Sequence, residues 1–323
     1  MASVLTPGTV LRARYKIDRI IYETHLVNIY YAHDVHMKGK AWAVREMKLI
    51  AEGSGEKSAL ISKFKREASA IASISHPMLA SVVDFFTEYD YLYIIREYVS
   101  GIDLNTRLNR QMAPFKEDEV VSWAIQLADL LNFLYLKKVP PIFFREFNMG
   151  NLVAEQSGII KITDIGLAKI FYSDTNLEHL GHLGASEYAA PEQFEGGGVF
   201  DIKSLVYSLG AFMYHALTNV NPSISPFDLQ PASLLNPTLS RSVQDIIKKA
   251  TDPEPRKRFQ SLLDMKKSLS GRIKDLPIAK THNVLLPKPK DDNSSGIQNM
   301  MFFVIVTILL SLLGFLGYYF FLR

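Results

Sequence analysis

The arrangement of apolar residues changes in kind near Gly101, and this change limits the possible folds more than any other feature of the chain. Before Gly101, runs rich in β-branched and aromatic residues lie between polar or glycine-containing breaks, which predicts strands. These runs are YKIDRIIYE, LVNIYYAHDV, AWAVREMKLI, SVVDFF and YLYIIREYV, with one stretch of helical spacing, KSALISKFKREASAIASI, among them. After Gly101 the spacing is mainly helical, as in EDEVVSWAIQLADLLNFLYL and SLVYSLGAFMYHALT, and only NLVAE and GIIKIT, around a turn at Gly158, resemble strands. The sequence therefore predicts an α+β fold with two lobes, a small β-rich N-lobe over about 9–99 and a larger helical C-lobe over about 100–271.

The end of the chain is an uninterrupted apolar segment. Met301–Phe321 contains no charged side chain, and at about 1.5 Å per residue it reaches roughly 30 Å, the hydrocarbon thickness of a bilayer. A core helix would normally show a polar stripe, which is missing here. We therefore expect residues 300–323 to form a single C-terminal transmembrane anchor. The basic residues before it include Lys280, Lys288 and Lys290, against Arg323 alone after it. This bias predicts a single-pass membrane protein whose body is cytoplasmic.

Residues 272–299 connect the body, 1–271, to this segment. They contain three prolines and the polar string DDNSSG. Such a composition cannot bury enough apolar surface to fold alone, so we expect a flexible juxtamembrane linker.

Composition excludes several kinds of function. The chain has no cysteine, which rules out a disulfide framework, a thiolate zinc site and a cysteine nucleophile. Its 36 Lys+Arg residues nearly balance 33 Asp+Glu residues, so nothing indicates a nucleic-acid partner. The closest histidine pairs, His33 with His36 and His179 with His182, fit no metal-ligand motif, which favours solvated loop histidines.

Eight motifs along the body occur in a familiar order. They are AVREMKL, FKREASAIASISHPML, REYVSGIDL, PPIFFREFNMGNL, ITDIGLA, GASEYAAPEQF, YSLGAFMYHALT and RFQSLLDM. From about Tyr15 to Leu269 the series resembles the eukaryotic-like Ser/Thr protein kinase family, in the style found in bacteria. The resemblance implies a two-lobe protein-kinase-like fold. It also implies transfer of the ATP γ-phosphate to protein hydroxyls with the help of Mg²⁺.

The resemblance also implies which residues form the site. Arg45 stands where the family has its phosphate-pairing lysine, and Glu67 matches the helical glutamate, so an Arg45–Glu67 ion pair can persist as a structural contact. Glu146 stands at the position of the catalytic base. The metal positions are Asn151 and Asp164, the adenine-flanking positions are Ile29, Ala43 and Val153, and the hinge supplies Glu97 and Val99 to the nucleotide site. Glu192 and Arg258 match the ion pair of the family's C-lobe.

The phosphate-binding turn departs from the family pattern. The family uses Gly-x-Gly-x-x-Gly so that the backbone can approach the phosphates. Here Tyr22, Thr24 and Val27 fill the three glycine positions, and Glu23 adds negative charge. This favours a plain β-hairpin without a ligand, and we expect ATP to bind weakly or not at all.

The catalytic and gatekeeper positions depart as well. Glu146 is one methylene longer than the family's aspartate, and a misplacement of about 1 Å can cost about a hundredfold in rate. Asn148 replaces the lysine that meets the transferred phosphate, and Ala185 replaces the threonine that touches the base. Together these changes remove most of the electrostatic stabilisation. Arg96 occupies the gatekeeper position, which the family normally fills with an uncharged side chain.

Three functions are consistent with this sequence. The first is a membrane-tethered pseudokinase that acts as a scaffold or regulator of other signalling proteins or kinases. The second is a weakly active Ser/Thr kinase that uses ATP and Mg²⁺ through Arg45, Glu146, Asn151 and Asp164. The third is a structural membrane protein without a signalling role. Preserved folding motifs beside altered catalytic positions favour the first.

Overall fold

The computed structural model describes residues 4–51, 53–137, 147–164, 187–193 and 201–273. All of them belong to one compact unit, Met1–Leu276. The predicted anchor and nearly all of the predicted linker lie outside the described residues. Within the described ranges no helix is both long enough and apolar enough to cross a membrane, so the anchor stays a prediction.

The N-lobe is an antiparallel sheet of six strands with one helix. The strands are β1 (Val10–Leu11), β2 (Tyr15–Glu23), β3 (Val27–Asp34), β4 (Ala41–Lys48), β5 (Val82–Glu88) and β6 (Tyr91–Glu97), in the order β1-β2-β3-β4-β6-β5. Helix α1 (Ser54–Ala72) buries Phe64, Ala68 and Ile71. The Phe64 ring meets Phe85 of β5 edge-on, with ring centroids 6.1 Å apart. The predicted strands and helix are confirmed, and only β1, two residues long, was too short to leave a pattern.

The register of β3, β4 and β6 gives the sheet two different faces. Ile29 pairs with Arg45, and Arg45 pairs with Ile94. Because side chains alternate along a strand, these residues share the inner face, toward the C-lobe. Tyr30 and Glu46, one residue further along their strands, lie on the outer face.

A buried polar cluster ties the start of the chain to this outer face. The Glu46 carboxylate is 2% exposed and accepts hydrogen bonds from the hydroxyls of Tyr30 and Tyr93, each at 2.7 Å, and from Asn28 at 3.0 Å. The Leu5 amide donates in turn to the Tyr30 hydroxyl at 3.1 Å. The N-terminal segment is therefore held against the outer face of the sheet, where aromatic side chains form a second small core.

The C-lobe is mainly helical, as predicted. Its described helices are α2 (Leu104–Gln111), α3 (Glu117–Leu136), α4 (Ile202–Thr218), α5 (Ala232–Leu235), α6 (Arg241–Ala250) and α7 (Leu262–Ile273). A two-stranded antiparallel sheet, β7 (Leu152–Ala154) with β8 (Ile160–Ile162), lies between α3 and α4 in the sequence. Helix α4 is buried at every position from Ser204 to Thr218, so it forms the centre of the lobe. Helix α7 ends at Ile273, two residues beyond the predicted domain boundary at 271.

Glycines permit two close approaches in the molecule. A Cβ on Gly210 of α4 would lie 2.6 Å from the Cβ of Ala250 in α6, so the absence of a side chain lets the two helices pack closely. A Cβ on Gly101 would lie 2.6 Å from Val153 Cγ1, and this glycine has φ +141°. Gly101 thus satisfies both a steric and a backbone requirement just after the hinge.

The predicted C-lobe ion pair is confirmed. The Arg258 guanidinium binds both oxygens of Glu192, Nη1 to Oε1 at 2.7 Å and Nη2 to Oε2 at 2.8 Å. Burial alone would raise the pKa of Glu192, but hydrogen bonds from Arg258 hold that pKa below its usual range. This fully buried arginine fixes the 3₁₀ turn Pro191–Gln193 against the segment that precedes α7.

Candidate functional site

The inner face of the sheet brings two arginines together. In the β4–β6 ladder Ala43 lies opposite Arg96, and Arg45 lies opposite Ile94. Arg45 and Arg96 are therefore diagonal neighbours on one face. They are 7% and 4% exposed. The sheet thus presents two buried guanidinium groups toward the residues that follow β8.

Both arginines bind the same carboxylate. Asp164 follows β8, and its Oδ1 lies 2.7 Å from Arg96 Nη1. Its Oδ2 pairs with Arg45 Nη1. The same Arg96 nitrogen donates to the carbonyl of Thr163. The side chain of Asp164 is 11% exposed, so the ion cluster lies largely out of contact with solvent.

Arg45 and Glu67 are seen with other partners. Glu67 Oε1 accepts a hydrogen bond from Arg66, its neighbour on α1, at 3.1 Å, whereas Arg45 pairs with Asp164. The presence of Arg96 explains the difference. Two buried like charges on one face need an anion between them, and Asp164 can serve both guanidinium groups at once.

The turn between β2 and β3 is closed by its own threonine. The Thr24 hydroxyl donates to the Val27 carbonyl at 2.8 Å and accepts from the amides of Val27, at 2.9 Å, and Leu26, at 3.3 Å. The Thr24 amide also donates to the Val27 carbonyl, at 2.9 Å. Three amides of the turn therefore bond within it. The segment is a β-hairpin, and the expectation that it binds no ligand stays a prediction.

The predicted adenine-flanking positions face the cleft, the space between the sheet of the N-lobe and the C-lobe. Ile29 and Ala43 are partly exposed on the inner face, and Val153 of β7 is 4% exposed beneath Gly101. All three side chains are apolar, as an adenine-flanking position requires. Their assignment to an adenine site stays a prediction.

The hinge contains a further ion pair. Lys161 Nζ of β8 lies 3.0 Å from Glu97 Oε1, and the Glu97 amide donates to the Ser81 carbonyl at 2.9 Å. Val99 is partly exposed two residues later. The Glu97 side chain thus connects the sheet to the C-lobe, and the nucleotide-binding role predicted for Glu97 and Val99 stays a prediction.

The motif PPIFFREFNMGNL matches the family's catalytic loop, and its described part begins at Phe147. Glu146 lies outside the described residues, as does Ala185. Asn148 directly precedes the 3₁₀ turn Met149–Asn151 and Asn151 ends it, and the Asn151 amide donates to the Asn148 carbonyl at 3.1 Å. The Asn151 carbonyl accepts a hydrogen bond from the Thr163 amide at 2.8 Å. The backbone of Asn151, a predicted metal ligand, is therefore bonded to the residue that directly precedes Asp164.

The residues present do not fit Mg²⁺ as the kinase fold normally holds it. A divalent ion would need Asp164 as an oxygen ligand, and both oxygens of that carboxylate are bound by arginines. The described residues also include no group of three or more His, Cys, Asp or Glu side chains placed to hold a metal.

Sequence reasoning missed two features of this site. It placed Arg96 at the gatekeeper position without finding its partner, although a charge inside the buried strand YLYIIRE requires a nearby anion. It also counted Thr24 only as a lost glycine. A threonine at a turn that can bond its own backbone was the available signal.

The lobes, the sheet order and the cleft define a protein of the two-lobe kinase class. The sequence model described as "Protein kinase domain" matches residues 28–269. The chain therefore belongs to the protein kinase domain family.

Curated relatives are bacterial Ser/Thr kinases. The chain is 29% identical over 269 residues to the serine/threonine-protein kinase PrkC of Bacillus subtilis, a match that covers 80% of this chain and 40% of that protein. It is 26% identical over 284 residues to the serine/threonine-protein kinase PknB of Mycobacterium tuberculosis, covering 82% of this chain and 44% of that protein. The chain thus spans about two fifths of the length of these relatives.

Solved structures agree on the fold. The PknI kinase domain of Mycobacterium tuberculosis superposes with a TM-score of 0.64 at 20% identity, covering 84% of this chain and 100% of that one. The apo form of PpkA-294 superposes with a TM-score of 0.66 at 20% identity, covering 82% and 99%. At this level of identity the likeness shows the fold alone.

Proposed function

We propose that this chain is a kinase-fold regulator that binds other signalling proteins and does not transfer phosphate efficiently. The closed turn at Thr24 carries this proposal. Backbone amides of such a turn are the groups that would hold the phosphates, and here three of them bond to Thr24 and Val27. A nucleotide could gain these donors only if the turn opened.

The changes at charged positions support the same function. Arg45 binds Asp164 in place of the helical glutamate, and Asn148 removes the cation that would meet the transferred phosphate. Phosphoryl transfer depends on positioned charge. What remains is a folded scaffold whose surfaces can bind a partner, which we expect to be another kinase or signalling protein.

A second candidate is a weakly active Ser/Thr kinase. The names of the curated relatives favour it, and the sequence keeps Asn151 and Asp164. In this case Glu146 would serve as the base, with ATP and Mg²⁺ as cofactors.

Phosphate transfer separates the two candidates. The full chain in detergent micelles would be incubated with radiolabelled ATP and Mg²⁺ beside Glu146→Ala, with phosphate on the chain itself and on a general protein substrate as the readout. We expect the unmodified chain and Glu146→Ala to give the same background level of labelled phosphate. Transfer by the unmodified chain that this substitution removes would establish the kinase and overturn the regulator.

We further propose that residues 300–323 tether this module to a membrane with its body on the cytoplasmic side. The support is the uncharged run Met301–Phe321 and the lysines that precede it. Such a tether would confine the module to a thin layer beside the membrane. Its effective concentration toward partners bound to the same membrane would then be higher than in free solution.

A further inference from the structure

We propose that Arg96 is a built-in cation that takes the place of the divalent ion in this kinase fold. One nitrogen of its guanidinium, Nη1, lies 2.7 Å from Asp164 Oδ1 and donates to the Thr163 carbonyl. A single positive centre therefore binds two oxygens, one of them from the carboxylate that a metal would require. Arg96 in this way determines which cation Asp164 can bind.

The sheet fixes Arg96 in this role. Strand β6 lies between β4 and β5, and Arg96 pairs with Ala43 on one side and Val82 on the other. A residue in a central strand cannot swing out of the sheet without breaking two ladders. The Arg96 side chain, 5% exposed, must therefore meet its anion where the backbone places it.

Burial makes the pairing hard to exchange. A divalent ion at Asp164 would lie beside the Arg96 guanidinium that binds Oδ1, and if the ion displaced Arg96 the guanidinium would be buried without its carboxylate. Arg45 holds the other oxygen of Asp164, so the ion would meet a second positive charge on arrival. The unpaired guanidinium and the repulsion from Arg45 both raise the free energy of the metal-bound state. Neither cost arises when Arg96 binds Asp164.

Removal of the Arg96 charge is therefore expected to uncover a divalent-ion site at Asp164 and Asn151. This expectation depends on the kinase fold and on the ion cluster. It is independent of whether the turn at Thr24 admits phosphates, because its readout is the bound metal and not phosphate transfer.

The test measures bound Mn²⁺, by the loss of the free-ion electron paramagnetic resonance signal, on the full chain in detergent micelles with and without ADP. The variants are Arg96→Met and Arg96→Gln, which remove the charge, and Arg96→Lys, which keeps it. Arg107→Met is the matched control, because Arg107 is a 39% exposed surface residue paired with Glu119 at 3.0 Å. Asp164→Asn, alone and added to each neutral variant, shows whether any bound ion depends on that carboxylate.

We expect no Asp164-dependent Mn²⁺ on the unmodified chain, on Arg96→Lys or on Arg107→Met. A neutral variant should bind Mn²⁺ at ion concentrations about tenfold or more below the highest at which the unmodified chain shows none, as expected when a competing unit charge is removed from a few ångströms away, and Asp164→Asn should abolish this binding. Asp164-dependent Mn²⁺ on the unmodified chain would overturn the proposal. So would a folded neutral variant that binds none, and the choice of Met or Gln provides a second variant if one fails to fold.

Discussion

At the scale of single residues, His215 shows how burial controls a charge. It is 5% exposed in α4, and its Nδ1 lies 2.8 Å from the hydroxyl of Tyr188. Burial lowers the pKa of His215 to about 4, although Glu187 Oε2 lies 4.0 Å away and favours the charged ring. The imidazole is therefore neutral in the folded protein at neutral pH.

This histidine predicts a dependence of stability on pH. Between the ordinary histidine pKa of 6.5 and the folded value of about 4, only the unfolded chain takes up the proton, so stability falls as the pH falls through that range. The loss attributable to His215 should reach about 3 kcal/mol. Urea unfolding from pH 7 to pH 4 should show a smaller loss in His215→Gln than in the unmodified chain. An exposed histidine, His33→Gln, serves as the control, and equal slopes for the unmodified chain and His215→Gln would contradict this account.

Thr24 predicts a local effect. Thr24→Val keeps the shape of the side chain and removes the hydroxyl that bonds the Leu26 and Val27 amides. We expect a loss of about 1 kcal/mol, because the turn lies near the surface and water can replace part of the lost bonding. Hydrogen exchange of the two amides should accelerate by roughly fivefold. Thr9→Val, which removes only a hydroxyl contact with exposed Thr6, should leave their exchange unchanged, and protected amides in Thr24→Val would refute the closed turn.

At the scale of elements, the crossing of α4 and α6 depends on a glycine. In Gly210→Ala the new Cβ would lie 2.6 Å from Ala250 Cβ and 3.0 Å from Thr251 Cγ2. Helix propensity favours alanine by about 1 kcal/mol, but overpacking typically costs about 1–3 kcal/mol, so we expect net destabilisation in thermal unfolding. Gly271→Ala, near the end of α7 with nothing within 4 Å of its Cβ, should be neutral or stabilising. A Gly210→Ala protein as stable as Gly271→Ala would show that the helices can separate at no cost.

Elements were the most predictable level of this protein. Alternating β-branched and aromatic residues indicated β2 to β6 because each strand has its own local pattern. The helices α3 and α4 followed from their spacing and lengths. The pairing of Arg45 with Asp164, 119 residues apart, leaves no local pattern, and the family resemblance pointed to a different residue, Glu67. Charge at the gatekeeper position changed that partner, and only the register of β4 and β6 shows why.

At the scale of the whole molecule, the membrane tether can be tested directly. Protease added to sealed inverted vesicles should digest the body, because the predicted orientation exposes it on the cytoplasmic face. Alkaline carbonate should leave the full chain in the membrane, whereas a chain ending at Asn299 should be released. Protection of the body in inverted vesicles, or retention of the shortened chain after carbonate, would exclude this topology.

The ion pairs at the cleft also bear on how the two lobes move. Arg96 and Arg45 belong to the sheet and Asp164 follows β8, while Lys161 of β8 reaches Glu97 at the hinge. Ion pairs thus connect the two lobes along one side of the cleft. A hinge motion that opened the cleft there would have to separate Asp164 from the buried Arg45 and Arg96. We therefore expect the two lobes to move together as one rigid body. Any partner that bound this protein would then meet one fixed arrangement of the two lobes. We therefore expect shape complementarity, and not a change in lobe arrangement, to determine which partner fits.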